Sequence, residues 1–278
     1  FQTNFTTEPF FYNFYIILGR LNFNIFMANL LSAVFFIYSL SLFLKKEKYP
    51  FYSLYLAFPV LIVVVSMGFN RQIIAISLLM IGYIYWQKFQ VRFLILVIIS
   101  ALFHKSAIVI LLINKYKINF RKNILTLLFA AIFLLFIYLF IYRHLNNIIR
   151  GYPLFEFNNL SSFLRIIYII FPALIFMYFR NSFKKFNDYY FLKKFSLFAI
   201  LLIPIMFVNV DVANRLGFYY LPISVVVLSR FPYIFSITYL RYAIFLFINL
   251  LTYTYFIFFL YYANNISGWV PYKNFLTQ

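Results

Sequence analysis

Apolar residues in this chain come in blocks. Runs of about 20 residues, each long enough for a helix to cross a hydrocarbon core roughly 30 Å thick, recur from Ile25 to Ala263. The pattern predicts helices over 25–44, 51–69, 72–86, 93–114, 124–142, 164–179, 195–208, 216–228 and 241–263, separated by short basic or polar stretches. Residues 1–24 are too broken for a span. Pro9 suits the first turn of a helix, and Phe10, Phe11, Phe14, Ile17 and Leu18 then share one face, which predicts a helix lying in the membrane interface. The expected architecture is all-α: a polytopic integral membrane protein of roughly nine to ten transmembrane or re-entrant helices, forming a single multi-spanning domain over 1–278.

The block at 93–114 is interrupted by His104, Lys105 and Ser106. It reads either as one crossing with buried charge or as two half-helices meeting at His104 and returning to their starting side. The basic loops favour the second. With a hairpin at His104, most of the 24 basic residues (the groups near Lys45, Lys88, Lys115, Lys122, Lys184, Lys193 and Arg230) fall on one face, as cytoplasmic loops do. Non-helical backbone at that depth is tolerated where protein buries it or water reaches it.

Composition narrows the chemistry. The chain is 65% hydrophobic and 10% charged, with no cysteine, which removes disulfides, thiolate catalysis and Cys-ligated metals. The net charge of +19 sits in interhelical loops and reads as topology signal and lipid contact, not as a nucleic-acid footprint. Arg71, His104, Lys105, Arg143, Arg150, Arg165, Asp211 and Arg215 then gather on the non-cytoplasmic side. Planar guanidinium groups suit a bidentate grip on phosphate oxygens, and His or Asp can exchange a proton. An outward cavity with several Arg, one His and few acids fits a lipid-linked phosphate or diphosphate. Each residue also has a plainer role. Arg71 could snorkel to headgroups, His104 could break the helix, and Lys105 could anchor at the interface. Asp211 and Arg215 could form an i,i+4 ion pair. Tyr219 and Tyr220 could be interfacial aromatics, and His144 and Glu156 could be solvated loop residues.

Arg71, Gln72 and Ala75 followed by Phe103, His104, Ser106 and Ala107 resemble the paired motifs of the EpsG-type family of bacterial polysaccharide polymerases, within the broader Wzy class of O-antigen, capsule and exopolysaccharide polymerases. Asn214, Arg215, Tyr219 and Tyr220 resemble a third motif, and Glu8, Pro9 and Phe10 the segment near the family's first outer loop. The chain starts inside the family pattern, as though the family's first helix were missing. The resemblance implies a glycosyltransferase that joins undecaprenyl-diphosphate-linked oligosaccharide repeat units outside the bacterial cytoplasmic membrane. Catalytic roles are expected at His104 or Asp211 as base. Diphosphate or substrate contacts are expected among Arg71, Arg215, Arg165, Arg150, Arg143 and Tyr219. No cofactor or metal is expected, since outward carboxylates are few. The expected partners are the lipid-linked oligosaccharide, membrane lipid, a chain-length regulator and a flippase, with no nucleic acid. The rival readings are a transporter or flippase, a different membrane transferase such as an O-antigen ligase, and a scaffold protein.

Overall fold

A computed structural model of the chain describes residues 8–23, 25–66, 68–86, 90–113 and 160–262. Every regular element among them is helical: α1 (Pro9–Arg20), α2 (Ile25–Leu44), α3 (Pro50–Ala57) continuing into a π-helical stretch (Phe58–Ser66), α4 (Asn70–Tyr85), α5 (Gln90–Phe103), a 3₁₀ segment (Lys105–Ile113), α6 (Leu160–Tyr178) with a single helical turn after it (Arg180–Phe183), α7 (Tyr189–Ile200), α8 (Leu202–Val208), α9 (Val210–Gly217), α10 (Leu221–Arg230) with a 3₁₀ turn after it (Phe231–Ile234), and α11 (Thr238–Tyr262). The helix expected at 124–142 lies outside the described residues, with Arg143, His144, Arg150 and Glu156.

Three helical stretches are long and apolar enough to cross a membrane: Phe26–Leu44, Tyr189–Phe207 and Thr238–Tyr261. A fourth is the pair α9 and α10, bent by 64° at the break between them. The other apolar helices are shorter. Among the described residues the chain is thus an all-helical membrane protein with three or four such spans, and the count of nine to ten transmembrane or re-entrant helices is not confirmed. A hydropathy run records how many apolar residues follow one another, not whether their helix stays straight and unbroken.

Helices α2, α4 and α5 pack in sequence. Helices α6, α7, α9 and α10 form a second group, and one continuous core of buried side chains runs through both. In lipid, helices associate by close packing more than by expelling water, so fit matters. Gly217 shows this. A Cβ there would lie 2.8 Å from the Ile169 side chain, so the small residue lets α9 close on α6.

The break at His104 is present. The His104 amide still donates to the Ser100 carbonyl (2.8 Å), the Ala107 amide turns back to the His104 carbonyl (2.9 Å), and the 3₁₀ segment packs against α5. Its buried residues, Ala107, Ile110 and Ile113, recur every third position, the period of a 3₁₀ helix.

Two boundaries differ from expectation. The polar stretch 209–215, left between the helices expected at 195–208 and 216–228, is helical from Val210. Asn209 caps α9 by accepting from the Val212 amide (3.0 Å), and Asp211 in the first turn and Arg215 in the last complement the helix dipole. Lys193 and Lys194 sit within α7, not in a loop, because the helix starts at Tyr189.

Candidate active site

The site begins with a carboxylate. Glu8 precedes Pro9 at the first turn of α1, and its backbone carbonyl accepts from the Tyr12 amide (3.1 Å). Helix α1 lies against α5 and α2, and Phe10 meets Phe103 edge to face with ring centres 5.7 Å apart. That docking delivers Glu8, only 8% exposed, to the break after α5. There one carboxylate oxygen bonds His104 Nδ1, and the other lies 3.4 Å from Arg71 Nη1. Arg71 enters from the start of α4 over the Phe11 ring (5.4 Å).

Burial pushes the Glu8 carboxyl toward the neutral form. The hydrogen bond from His104 Nδ1 and the attraction of the Arg71 guanidinium outweigh it and hold the group below its ordinary value of 4.5. Glu8 is therefore ionised at neutral pH. It orients the imidazole through Nδ1, while His104 Nε2 is buried and has no hydrogen-bond partner. Arg71 remains half-exposed.

The 3₁₀ segment is tied to α9 and the turn after it. Ser106 Oγ and Tyr219 Oη lie 2.7 Å apart, Tyr83 donates its hydroxyl to the Tyr219 carbonyl (2.9 Å), and Gln72 Nε2 donates to the Arg215 carbonyl. Residues from four separated stretches of sequence, Glu8, Arg71–Gln72, His104–Ser106 and Arg215–Tyr219, are thus linked by direct hydrogen bonds.

The remaining candidates are placed as follows. Tyr219 and Tyr220 are fully buried, with hydroxyls on Ser106 and Ser196 (3.2 Å), so both brace the helices. Asp211 and Arg215 are both exposed on α9, and no ion pair joins them. Lys105 is exposed. Arg165 is buried within α6 among the rings of Phe69, Phe218 and Phe259. Glu8 is the residue that a reading of roles from sequence passes over. The signal was available: it is one of five acidic residues in the chain and stands immediately before a helix-starting proline.

Apolar helices around a buried carboxylate that pairs with an imidazole and a half-exposed arginine define a helical membrane protein with a charged site. The EpsG family model matches residues 1–274, and the chain belongs to the EpsG family. No curated protein and no solved structure matches the chain.

Proposed function

We propose that this protein is a polysaccharide polymerase of the bacterial cytoplasmic membrane, crossing it several times. It transfers a growing glycan from its undecaprenyl diphosphate carrier to the next carrier-linked repeat unit, on the outer face. The observation that carries this reading is the Glu8–His104–Arg71 cluster, which joins a proton acceptor to a cation rim inside a membrane protein of the EpsG family.

In the reaction, the acceptor sugar hydroxyl attacks the anomeric carbon of the donor. A new carbon–oxygen bond forms as the bond to the carrier diphosphate breaks. The hydroxyl proton passes to His104 Nε2, and the ionised Glu8, bonded at Nδ1, offsets the charge the imidazole gains. The carrier leaves as a diphosphate, whose charge Arg71 and the exposed Arg215 offset; Arg143 and Arg150 are further candidates for the same role. Asp211 remains an alternative base. Ser106, Tyr219 and Gln72 position the pieces.

Lipid-linked glycans in cells carrying Arg71→Ala as their sole copy test the proposal. Single repeat units accumulating on carrier at the outer face are expected. Units trapped facing the cytoplasm would point to a flippase, and long carrier-linked chains to a ligase; either outcome sinks the polymerase reading.

A further inference from the structure

Helix α2 separates two ends of the bundle. Near its start Asn29 meets Tyr15 of α1 (3.4 Å), and just past its end Glu47 bonds Arg230. At that second end the 3₁₀ turn after α10 leads toward the long span α11, and a cavity of about 130 Å³ lies there, lined by Pro232, Tyr233, Arg241, Tyr242 and Phe245. About four waters would fill it at roughly 30 Å³ each, and a phosphate with its ester carbons is of that order. Its walls are braced. The Tyr233 ring stacks on Tyr49 with centres 3.7 Å apart, and the Tyr233 carbonyl accepts from Lys185 Nζ (3.0 Å). Phe245 stacks on Tyr52 (4.5 Å). Arg241 Nη2 donates to the Phe235 carbonyl (3.1 Å), and the guanidinium lies 5.7 Å from the Tyr233 ring centre. A planar fork fixed in a cavity wall suits a bidentate grip on phosphate oxygens.

Position and charge say which phosphate. Tyr242, which lines the cavity, is exposed, as are Ile237 and Tyr239 beside it, so the cavity opens at the surface where a membrane span begins. Tyrosine and basic side chains at the start of a span sit at headgroup depth. Lys45, Lys46 and Lys48 follow α2, Lys184 and Lys185 precede α7, and all five are exposed. The acids of the same two segments, Glu47 and Asp188, both bind Arg230. Among the described residues this end therefore carries a surplus of cations, which attracts anionic headgroups and repels the ammonium of a choline lipid.

We infer that Arg241 and Tyr233, with Lys185 beside them, form a binding site for an anionic phospholipid in the leaflet at this end, the cytoplasmic one in the orientation the loop charges predict. The headgroup phosphate takes the Arg241 fork, and the acyl chains lie along α11. Glu8, His104 and Arg71 belong to the other end of α2, so this site is separate from the proposed chemistry and stands or falls without it.

Native mass spectrometry of the purified full chain in detergent, titrated with phosphatidylglycerol, phosphatidylcholine or inorganic phosphate, tests the site. Wild type should hold one phosphatidylglycerol about tenfold more tightly than phosphatidylcholine. Arg241→Gln should weaken phosphatidylglycerol by about tenfold, the loss of one charge-assisted contact. Lys46→Gln makes the same charge change on an exposed lysine of the same end, and should alter that affinity by less than about twofold. Equal losses in the two variants would reveal diffuse attraction and overturn the proposal. So would unchanged affinity in Arg241→Gln, or equal affinity of wild type for the two lipids. Displacement of phosphatidylglycerol by inorganic phosphate at equal concentration also overturns it, because the site would then take a free anion and not a lipid. Should Arg241→Gln not fold, a photoreactive phosphatidylglycerol on wild type decides. Adducts on the peptide holding Tyr233 and Tyr242 support the site, and adducts confined elsewhere refute it.

Discussion

Among the described residues two ion clusters sit in this bundle, and they are built on opposite principles. In one, Arg230 at the end of α10 donates through Nε and Nη2 to Glu47 (2.9 and 2.6 Å) and through Nη1 to Asp188 (2.6 Å), with its guanidinium over the Phe186 ring at 4.7 Å. Two carboxylates close on one cation, whose side chain is 6% exposed. In the other, a single carboxylate, Glu8, faces both His104 and Arg71; the arginine is 53% exposed and the imidazole keeps one nitrogen unpartnered. The first cluster is saturated and ties the loop after α2 to the start of α7 and the end of α10. The second has donors and an acceptor left over. Equally buried acids can therefore serve opposite ends: surplus anion locks a structure, while surplus cation and a free ring nitrogen equip a site.

The largest effect expected from this contrast is at His104. His104→Ala should lower polymer formation about 10²–10⁴-fold with the protein still inserted and folded, because it removes the proton acceptor. Polymer yield against membrane-inserted protein measures it, and loss of insertion would show instead that the imidazole mainly holds the hairpin. Next comes Arg230→Met. It strands the buried Glu47 carboxylate and the partly exposed one of Asp188 and should cost about 3–5 kcal/mol of stability, read as a lowered Tm in detergent. A variant melting like wild type would mean the closed cluster is not a lock.

Arg71→Lys should be milder, a loss of roughly ten- to a hundredfold in polymer formation with unchanged Tm, since an ammonium ion cannot reproduce the guanidinium fork. Wild-type yield would remove Arg71 from phosphate contact. The smallest effect is in pH dependence. Burial raises the Glu47 carboxyl above 4.5, and Asp188 adds to the rise; the attraction of Arg230, its shared partner, only partly offsets them. A carboxyl raised in the folded state binds its proton more tightly there, so acidifying through that raised value stabilises this cluster. Glu8, held below 4.5, behaves in the opposite sense: its contribution is present above the ordinary carboxylate range and fades only as pH falls through its lowered value. Glu47→Gln should therefore abolish a gain in Tm on mild acidification that Glu8→Gln retains. Identical pH slopes for wild type and Glu47→Gln would contradict this.

Much of the fold could be read directly. Helix-long apolar blocks announced a membrane bundle, since lipid leaves backbone polar groups no partner outside the helix. The loop charges and the His104–Ser106 interruption announced the break after α5. The capped helix α9 was misread because its polar surface looks like a turn, although Asn209, Asp211 and Arg215 carry ordinary helix-end signals. Arg71 and His104 stood out as charge in apolar surroundings. Glu8 did not, because nothing local tells a pairing carboxylate from a solvated one.

Composition and order of residues thus determined that this chain lives in lipid, belongs to the EpsG pattern and concentrates a few ionisable groups at helix ends. Tertiary structure alone decided which of those groups meet. Glu8 and His104 are brought together by the docking of α1 on α5, and Arg165 is separated from every described carboxylate by a ring of phenylalanines contributed by three distant segments. The physical reason is range. A segment's preference for lipid follows from its own neighbours in sequence, whereas the burial of a particular charged group and the sign and completeness of its electrostatic surroundings depend on side chains that only packing can deliver.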